Sequence, residues 1–328
     1  MISGEQVGFS QAYLPLWQSA TELNREFDRI KATGARWVRF DFYWGALEPS
    51  RGSYNWALTD RAVNAAHARG LQVLALVTYT PTWARPAGTT DHAPPTNPQD
   101  YANFIRAAVQ RYAPMGVKAW EIWNEPNSGH FWTPKPDAVA YTQLLQAAYS
   151  AVKSADPASI VITGGLAPSG GTLDYTSSDG FWVSPWRFLT NMYNAGARGS
   201  FDAVGHHPYP GMPYSPSTAA VWNPFQQTVD LHNLMVQRGD GSKQIWGTEA
   251  GSWTGTSSNS VTEAQQAQFT TEFLQGWAQW SYAGPFFYYS LRDMGTNAAD
   301  REDNFGLLRY DYSAKPAMAV FDAAVSGS

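Results

Sequence analysis

Residues 120–127 of this chain read WEIWNEPN. The first half of this run is apolar and rich in residues that favour β-strands. Pro126 cannot donate a hydrogen bond to a strand ladder, and it disfavours the helical region for Glu125, so we expect the strand to end here. Asn124 and Glu125 would then stand side by side at the carboxyl end of a strand, the end that faces the ligand in parallel α/β proteins.

On both sides of this run, short apolar strands alternate with longer helical patterns. Eight such units, with no linker or shift in composition between them, favour a closed (β/α)8 TIM barrel over a doubly wound sheet. We therefore expect one catalytic domain over residues 1–328. The predicted strands are 6–9, 36–42, 71–77, 120–127, 160–163, 201–205, 244–249 and 285–290. The predicted helices are 19–34, 59–70, 99–112, 136–154, 185–195, 225–237, 262–280 and 315–324.

Composition narrows the classes of function. The chain has 328 residues, of which 44% are hydrophobic, and a net charge of −5 without a basic block. That charge argues against nucleic acid and anionic membrane surfaces as partners. No apolar run approaches the ~20 residues that span a bilayer. Cysteine is absent, which excludes disulfides, thiolate metal sites and a cysteine nucleophile.

Aromatic residues are abundant, with 15 Trp and 17 Tyr in the chain. Cores use such residues, but Trp and Tyr also line sugar clefts, where they stack on the apolar face of a pyranose. Several Trp follow predicted strands, where either use is open for each one, and together they favour a binding cleft. These are Trp44, Trp83, Trp132, Trp182 and Trp253.

Polar residues recur at the predicted strand ends. Glu125 follows strand four and Glu249 follows strand seven, so the two carboxylates would face each other across the mouth of the barrel. Two carboxyls ~5 Å apart suit retaining glycoside hydrolysis, with one as nucleophile and the other as acid and then base. The nucleophile must stay ionised, and Arg39 in strand two is the natural candidate to help. The other candidates at strand ends are His207, Tyr209, Tyr288 and Tyr289.

Residues 120–127, together with Glu249 and the His207-Pro208-Tyr209 run after strand six, resemble glycoside hydrolase clan A. The resemblance covers essentially the whole chain and implies a (β/α)8 barrel with a retaining mechanism. It also implies that Glu125 is the acid/base, that Glu249 is the nucleophile, and that Asn124 binds the sugar 2-hydroxyl. By the same match, Arg39 and Tyr209 would position Glu249, and His207 would line the site.

A late segment refines the resemblance within the clan. Residues 303–308, DNFGLL, followed by Lys315-Pro316-Ala317, look most like family 39 and its bacterial exopolysaccharide-hydrolase relatives, with family 5 as a near neighbour. Many clan members place a Trp at the end of strand eight, beneath the first sugar subsite. This chain offers Tyr288 and Tyr289 there instead, which leaves the identity of the bound sugar open.

Several other motifs resemble functional sites but have structural explanations. Glu121 precedes Glu125 by four residues, so strand alternation places it deeper in the barrel, and we expect it to pair with a base. The adjacent His206 and His207 lack the further ligands that a metal site needs, and only one of them can face the site. No phosphate loop, dinucleotide fingerprint or nucleophile elbow is present. We therefore expect neither a metal nor an organic cofactor.

The sequence predicts a retaining β-glycoside hydrolase that acts on an oligosaccharide or polysaccharide. An exo-acting β-glucosidase or β-xylosidase, a non-catalytic carbohydrate-binding barrel and a metal-dependent barrel hydrolase are the alternatives. Endo or exo action, the sugar, the linkage and the oligomeric state are not readable. Residues 1–5 lack the basic start and apolar core of a signal peptide. Because polymer substrates lie outside cells, we expect secretion, with the targeting segment removed ahead of the first strand.

Overall fold

The computed structural model describes residues 2–169, 171–210 and 213–325. It contains a closed barrel in which each of eight parallel strands pairs with the next, and the last pairs with the first. The predicted TIM barrel is confirmed. The strands are β1 Val7–Ser10, β2 Trp37–Tyr43, β3 Gln72–Thr78, β4 Ala119–Ile122, β5 Ile160–Thr163, β6 Ala203–His206, β7 Gln244–Ala250 and β8 Ala283–Tyr288.

Helices follow the strands and cover the outside of the barrel. They are α1 Leu14–Trp17, α2 Ala20–Ala32, α3 Trp44–Leu47, α4 Ala57–His67, α5 Pro98–Tyr112, α6 Ala138–Ala155, α7 Pro185–Asn194, α8 Thr228–Gln237, α9 Glu263–Ala278 and α10 Pro316–Val325. Local chemistry sets their starts. The side chain of Ser19 accepts from the backbone N–H of Glu22, whose own side chain accepts from the backbone N–H of Ser19, and this capping box opens α2. No helix in the described ranges is long and apolar enough to cross a membrane.

The predicted elements match the observed ones, with shifts of a few residues at their ends. The largest strand shift is at the end of β4, which stops at Ile122 where the sequence predicts a run to 127. β8 runs from Ala283 to Tyr288 where the sequence predicts 285–290. Pro285 therefore lies inside the strand, although it has no N–H to donate. The ladder with β7 accommodates it through irregular register, since Ile245 pairs with Ala283 and Gly247 pairs with Phe286.

Alternation along β2 shows how the barrel positions a site. Val38, Phe40 and Phe42 belong to the large core between strands and helices. Trp37 points to the other face and joins an inner cluster that fills the barrel. Arg39 and Asp41 follow it on that same face, at successive heights toward the carboxyl end. The inner cluster is Trp37, Leu74, Ala119, Ile162, Ala203, Trp246 and Phe287.

Candidate active site

The chain beyond β4 turns sharply. Trp123 has φ 71° and Glu125 has φ 45°, both in the left-handed region that residues other than glycine rarely adopt. The backbone N–H of Glu125 donates to the carbonyl of Gly165 at 3.1 Å, which ties this turn to the loop after β5. Pro126 accounts for the end of the strand, but the strained turn is held by its neighbours. Such strain concentrates at functional sites.

Glu125 and Glu249 approach each other at the mouth of the barrel. One oxygen of each carboxylate and one ring nitrogen of His207 all lie within 4.8 Å of one another. Both carboxylates line one cavity of about 960 Å³, at the upper end of the ~300–1,000 Å³ that is common for ligand pockets. A pair with this spacing can act on the two sides of one bond.

Arg39 holds Glu249 from below. Its Nη1 lies 3.2 Å from Glu249 Oε1 and 3.0 Å from the hydroxyl oxygen of Ser10. The Ser10 hydroxyl in turn donates to the same oxygen of Glu249 at 3.4 Å. Arg39 and Ser10 are both buried, whereas Glu249 is partly exposed to the cavity. The guanidinium thus fixes one oxygen of Glu249 and places a positive charge beside it.

The same guanidinium binds Glu121 and Asn124. Nε and Nη2 of Arg39 lie 2.6 and 3.2 Å from the two carboxylate oxygens of Glu121, which is completely buried. The predicted pairing of Glu121 with a base in the barrel interior is confirmed. Nη2 also donates to Asn124 Oδ1 at 3.0 Å. Asn124 lines the cavity beside Glu125, so Arg39 connects the positions of both.

His207 bridges the two carboxylates. Its Nδ1 lies 2.8 Å from Glu125 Oε1 and 3.3 Å from Glu249 Oε2. Its Nε2 lies 3.5 Å from Nη2 of Arg39, a group that can only donate. Two carboxylate oxygens lie against Nδ1, so the ring proton sits on Nδ1 and is donated to Glu125. This arrangement orients the Glu125 carboxylate through a single imidazole.

His206 points away from the cavity. It is fully buried, and its Nδ1 lies 3.3 Å from the Thr228 hydroxyl. Burial, with a smaller effect from His207, lowers the pKa of His206 to about 3, so the ring is neutral at physiological pH. The prediction that only one of the two histidines faces the site is confirmed.

Glu125, His207 and Glu249 together offer three donor atoms within reach of one cation. The Nδ1 proton of His207 points into this group, and the Arg39 guanidinium already contacts Glu249. A cation bound here would have to displace that proton and approach a fixed positive charge. Among the described residues, this donor set therefore fits proton transfer better than metal coordination.

Three of the predicted sugar-stacking residues lie elsewhere, and that prediction is wrong for them. Trp44 is fully buried, where its ring stacks on Phe104. Trp83 packs against the core and donates to the Glu48 carbonyl at 2.8 Å. Trp132 is only 2% exposed, and packs edge-on against Trp123. All of these tryptophans follow strands in the sequence. That position alone does not predict whether a ring points into the cavity or supports the loops beneath it.

The remaining predicted residues line the cavity, except His207, which is fully buried behind the Glu125 and Glu249 carboxylates and does not reach the cavity surface. Burial, and after it the charge of Glu249, raises the pKa of the Tyr209 phenol well above its ordinary value. Tyr289, the residue directly after β8, faces the cavity. Tyr288, the last residue of β8, is buried in the core. The predicted residues that line the cavity are Arg39, Asn124, Glu125, Tyr209, Glu249, Trp253 and Tyr289, and Trp182 joins them.

Several cavity residues were missed at the level of sequence. Asp41 could have been found, because it follows Arg39 by two positions in a predicted strand and must share its face. Tyr79 directly follows β3, and the others stand in loops without periodicity, which gave no signal. Besides Asp41, the missed residues include Tyr13, Tyr79, His92, Phe131, Tyr214 and Trp222.

Comparison with solved structures shows the same architecture. A family 39 glycoside hydrolase from the gut symbiont Bacteroides cellulosilyticus WH2 matches 100% of this chain at 25% identity and a TM-score of 0.78. A monomeric β-xylosidase from Caulobacter crescentus CB15 matches 98% of the chain at 17% identity and a TM-score of 0.73. A glycoside hydrolase of family 5, subfamily 18, from Streptomyces cattleya, in complex with GlcNAc, matches 98% at 18% identity and a TM-score of 0.67.

This chain spans 65%, 68% and 80% of the lengths of those three proteins. No curated protein sequence showed significant similarity to it. The resemblance to clan A, most like family 39 and with family 5 as a near neighbour, is confirmed. The family model for cellulases, described as glycosyl hydrolase family 5, matches residues 2–283. The chain therefore belongs to glycosyl hydrolase family 5, the cellulase family.

Proposed function

We propose that this protein is a retaining β-glycoside hydrolase that acts on an oligosaccharide or polysaccharide. The observation that carries the proposal is the approach of the Glu125 and Glu249 carboxylates, with one oxygen of each within 4.8 Å. Retaining enzymes hold their two carboxyls ~5–5.5 Å apart, whereas inverting enzymes need ~6.5–9.5 Å to admit a water. The short spacing supports a covalent intermediate.

The contacts around each carboxylate suggest how the roles divide. Glu249 attacks the anomeric carbon, because Arg39 and Ser10 fix its Oε1 and leave its other oxygen free of these two contacts. Glu125, hydrogen-bonded to His207, protonates the leaving oxygen. In the second step Glu125 removes a proton from water, which then attacks the anomeric carbon and releases the sugar with its configuration retained.

The cavity wall supports a substrate longer than one sugar. On the Glu125 side, His92 packs against both Tyr79 and Phe131, with ring centroids 4.3 and 5.3 Å away. Trp182 extends this wall from the loop after β5, and Trp222 stands in the loop after β6. Aromatic faces spread over several loops offer stacking surfaces for successive sugars. Solved relatives include a β-xylosidase and an exo-β-1,4-mannosidase, so a range of β-linked sugars must be tested.

The first experiment tests the mechanism. A panel of 4-nitrophenyl β-glycosides is supplied to the wild type and to Glu249→Ala, with and without sodium azide, in buffer containing EDTA. We expect turnover of at least one glycoside by the wild type, no turnover by Glu249→Ala, and rescue by azide with formation of the inverted glycosyl azide. Glu263→Ala, which removes a carboxylate from a surface pair with Arg309, serves as the matched control and should retain full activity.

Full activity in Glu249→Ala would refute the assignment of the nucleophile. Loss of wild-type activity in EDTA, restored by a divalent metal, would replace it with a metal-dependent reaction. A wild type that binds oligosaccharides in calorimetry but hydrolyses none would indicate a carbohydrate-binding barrel. Proton NMR of the first product should show the β-anomer, and an α-anomer would establish inversion.

A further inference from the structure

Asp41 is a carboxyl group of the cavity that the proposed mechanism does not use. It stands on β2 two positions beyond Arg39, on the face that points into the barrel, and lines the same cavity as Glu125 and Glu249. Its side chain is almost buried, with 8% of the residue exposed. A carboxyl placed in this way must find hydrogen-bond partners in the protein or in whatever fills the cavity.

Arg39 is the nearest basic residue on the same strand face, but its hydrogen bonds are taken. A guanidinium has five N–H donors. Nε donates to Glu121, and Nη1 donates to Ser10 and Glu249. Nη2 donates to Glu121 and Asn124. Within the described residues, Arg39 therefore gives Asp41 its charge without one of its hydrogen bonds.

The surroundings of Asp41 leave it able to donate or to accept. Burial, reinforced by the charge of Glu249 and opposed by the charge of Arg39 and by a contact with the Thr78 hydroxyl, raises the pKa of Asp41 to about 7. Near neutral pH the carboxyl therefore exists in both protonation states. Tyr79, at the end of the neighbouring strand β3, lines the cavity next to it. Its phenol has a strongly raised pKa, first from burial and then from Asp41, so it stays a hydroxyl.

We propose that Asp41 binds substrate directly, by a hydrogen bond to one ring hydroxyl of the sugar whose anomeric carbon meets Glu249. Tyr79 lies beside that hydroxyl, and the two groups together select its presence and configuration. This inference rests on the proposed function for the identity of the ligand. Asp41 is then a specificity-determining residue, whereas Arg39, which contacts Glu249 and Asn124, acts through those side chains.

A cycle of variants and substrates tests the contact. The parent is the 4-nitrophenyl β-glycoside that the wild type turns over fastest, and its monodeoxy analogues each lack one ring hydroxyl. We expect Asp41→Ala to lower kcat/KM on the parent by about 10- to 150-fold, the range that corresponds to a hydrogen bond with a charged group. On the one analogue that lacks the contacted hydroxyl, wild type and Asp41→Ala should be equal within about twofold.

An equal loss on the parent and on every analogue would overturn the proposal, because it would show that Asp41 acts only through its neighbours. Asp41→Asn, which keeps the shape of the side chain, guards against a folding defect and should show the same dependence on one hydroxyl. Asp91→Asn is the matched control. Asp91 accepts from the Tyr43 hydroxyl at 2.7 Å and is not part of the cavity lining, so activity should be unchanged.

A binding experiment tests the Asp41 contact without turnover, so its outcome does not depend on the proposed hydrolytic function. Calorimetry with Glu249→Ala and with the double variant Asp41→Ala/Glu249→Ala measures affinity for the same glycosides without turnover. We expect the Asp41 change to weaken binding of the parent and not of the one deoxy analogue. If the wild type hydrolyses no glycoside, the tightest-binding glycoside becomes the parent, and the same pattern supports Asp41. Identical affinities in both variants for every glycoside would refute it.

Discussion

At the scale of single residues, the buried cation Arg39 interacts with several carboxylates, and Asp41 is one of them. The guanidinium lies among the carboxylates of Glu121, Glu249 and Asp41, and it hydrogen-bonds the first two. Its own pKa is raised above the ordinary value, because the neighbouring carboxylates outweigh the effect of burial. Asp41 is left with burial as the dominant influence, which is why its pKa moves in the opposite direction from that of a paired carboxylate.

We expect the Asp41 carboxyl to lower the free energy of unfolding of the protein as pH rises. Its pKa is raised from 3.8 to about 7 in the folded protein, so the folded state holds the proton more tightly than the unfolded chain. The contribution of Asp41 to the free energy of unfolding is complete below pH 3.8 and is lost as pH rises to about 7. We expect Asp41→Asn to gain stability relative to the wild type over this window, by at most about 1.4 kcal/mol per pH unit.

Urea unfolding of both proteins at pH 4.5, 6 and 7.5 measures this difference. Asp60→Asn is a control of opposite sign, because hydrogen bonding to Arg111 lowers the pKa of Asp60 despite some burial. Its window lies below pH 3.8, so relative to the wild type Asp60→Asn should lose stability as pH rises toward 3.8 and then keep a constant difference at these three pH values. A stability difference for Asp41→Asn that does not change with pH would contradict the raised pKa.

At the level of elements, the Arg39–Glu121 pair joins β2 to β4 across the inside of the barrel. Both side chains are at most 1% exposed, and Glu121 also accepts from the backbone N–H of Gly165 beyond β5 at 2.9 Å. Gly165 is required there, since a Cβ would lie 2.1 Å from His207 Nε2. One buried carboxylate thus connects β2, β4 and the chain beyond β5 next to Glu125 and Glu249.

Removing this carboxylate should cost both stability and activity. We expect Glu121→Ala to lower the free energy of unfolding by about 3–5 kcal/mol, because it leaves the Arg39 charge buried and less well paired. Glu121→Gln keeps an acceptor and should cost less. Urea unfolding measures the loss. The control is Glu5→Ala, whose exposed carboxylate lies 3.8 Å from Arg36 and should contribute less than about 1 kcal/mol. A loss for Glu121→Ala as small as the control's would contradict the role of the pair.

At the scale of the whole molecule, loops from different strands form one continuous wall beside Glu125. The backbone N–H of Gly129, after β4, donates to the Phe181 carbonyl at 2.8 Å, and Ser128 forms an antiparallel bridge with Trp182. His92, from the loop after β3, lies 2.6 Å from the His130 carbonyl through its Nδ1. These cross-links hold the aromatic wall in place before any substrate arrives.

Trp182→Ala tests whether this wall binds a sugar on the leaving-group side. We expect a larger fall in kcat/KM for oligosaccharides than for a 4-nitrophenyl glycoside of the same sugar, because only the oligosaccharide reaches past the catalytic pair. Trp17→Ala is the control, since Trp17 is 56% exposed on α1 and does not line the cavity. Equal effects of Trp182→Ala on short and long substrates would place the sugar elsewhere. Product sizes from a polysaccharide digest would then separate endo from exo action.

The sequence alone determined the barrel and the ends of its strands. The alternation of residues along strands, the caps of helices and Pro126 are local features. They can therefore be recognised in the sequence without knowledge of the fold. They were enough to place Asn124, Glu125 and Glu249 at strand ends and to put Glu121 and Arg39 inside the barrel. Alternation would also have placed Asp41 there, since it needs nothing beyond the strand itself.

Only the tertiary structure decided which aromatic rings face the cavity. Trp44, Trp83 and Trp132 follow strands just as Trp182 and Trp253 do, yet the first three support the loops from below or from outside. The path of a long loop depends on contacts with other loops, such as the bridge between Ser128 and Trp182, and these contacts leave no periodic pattern in the sequence. The same holds for the proton on His207, which is fixed by Glu125 and Glu249, groups brought together from distant strands.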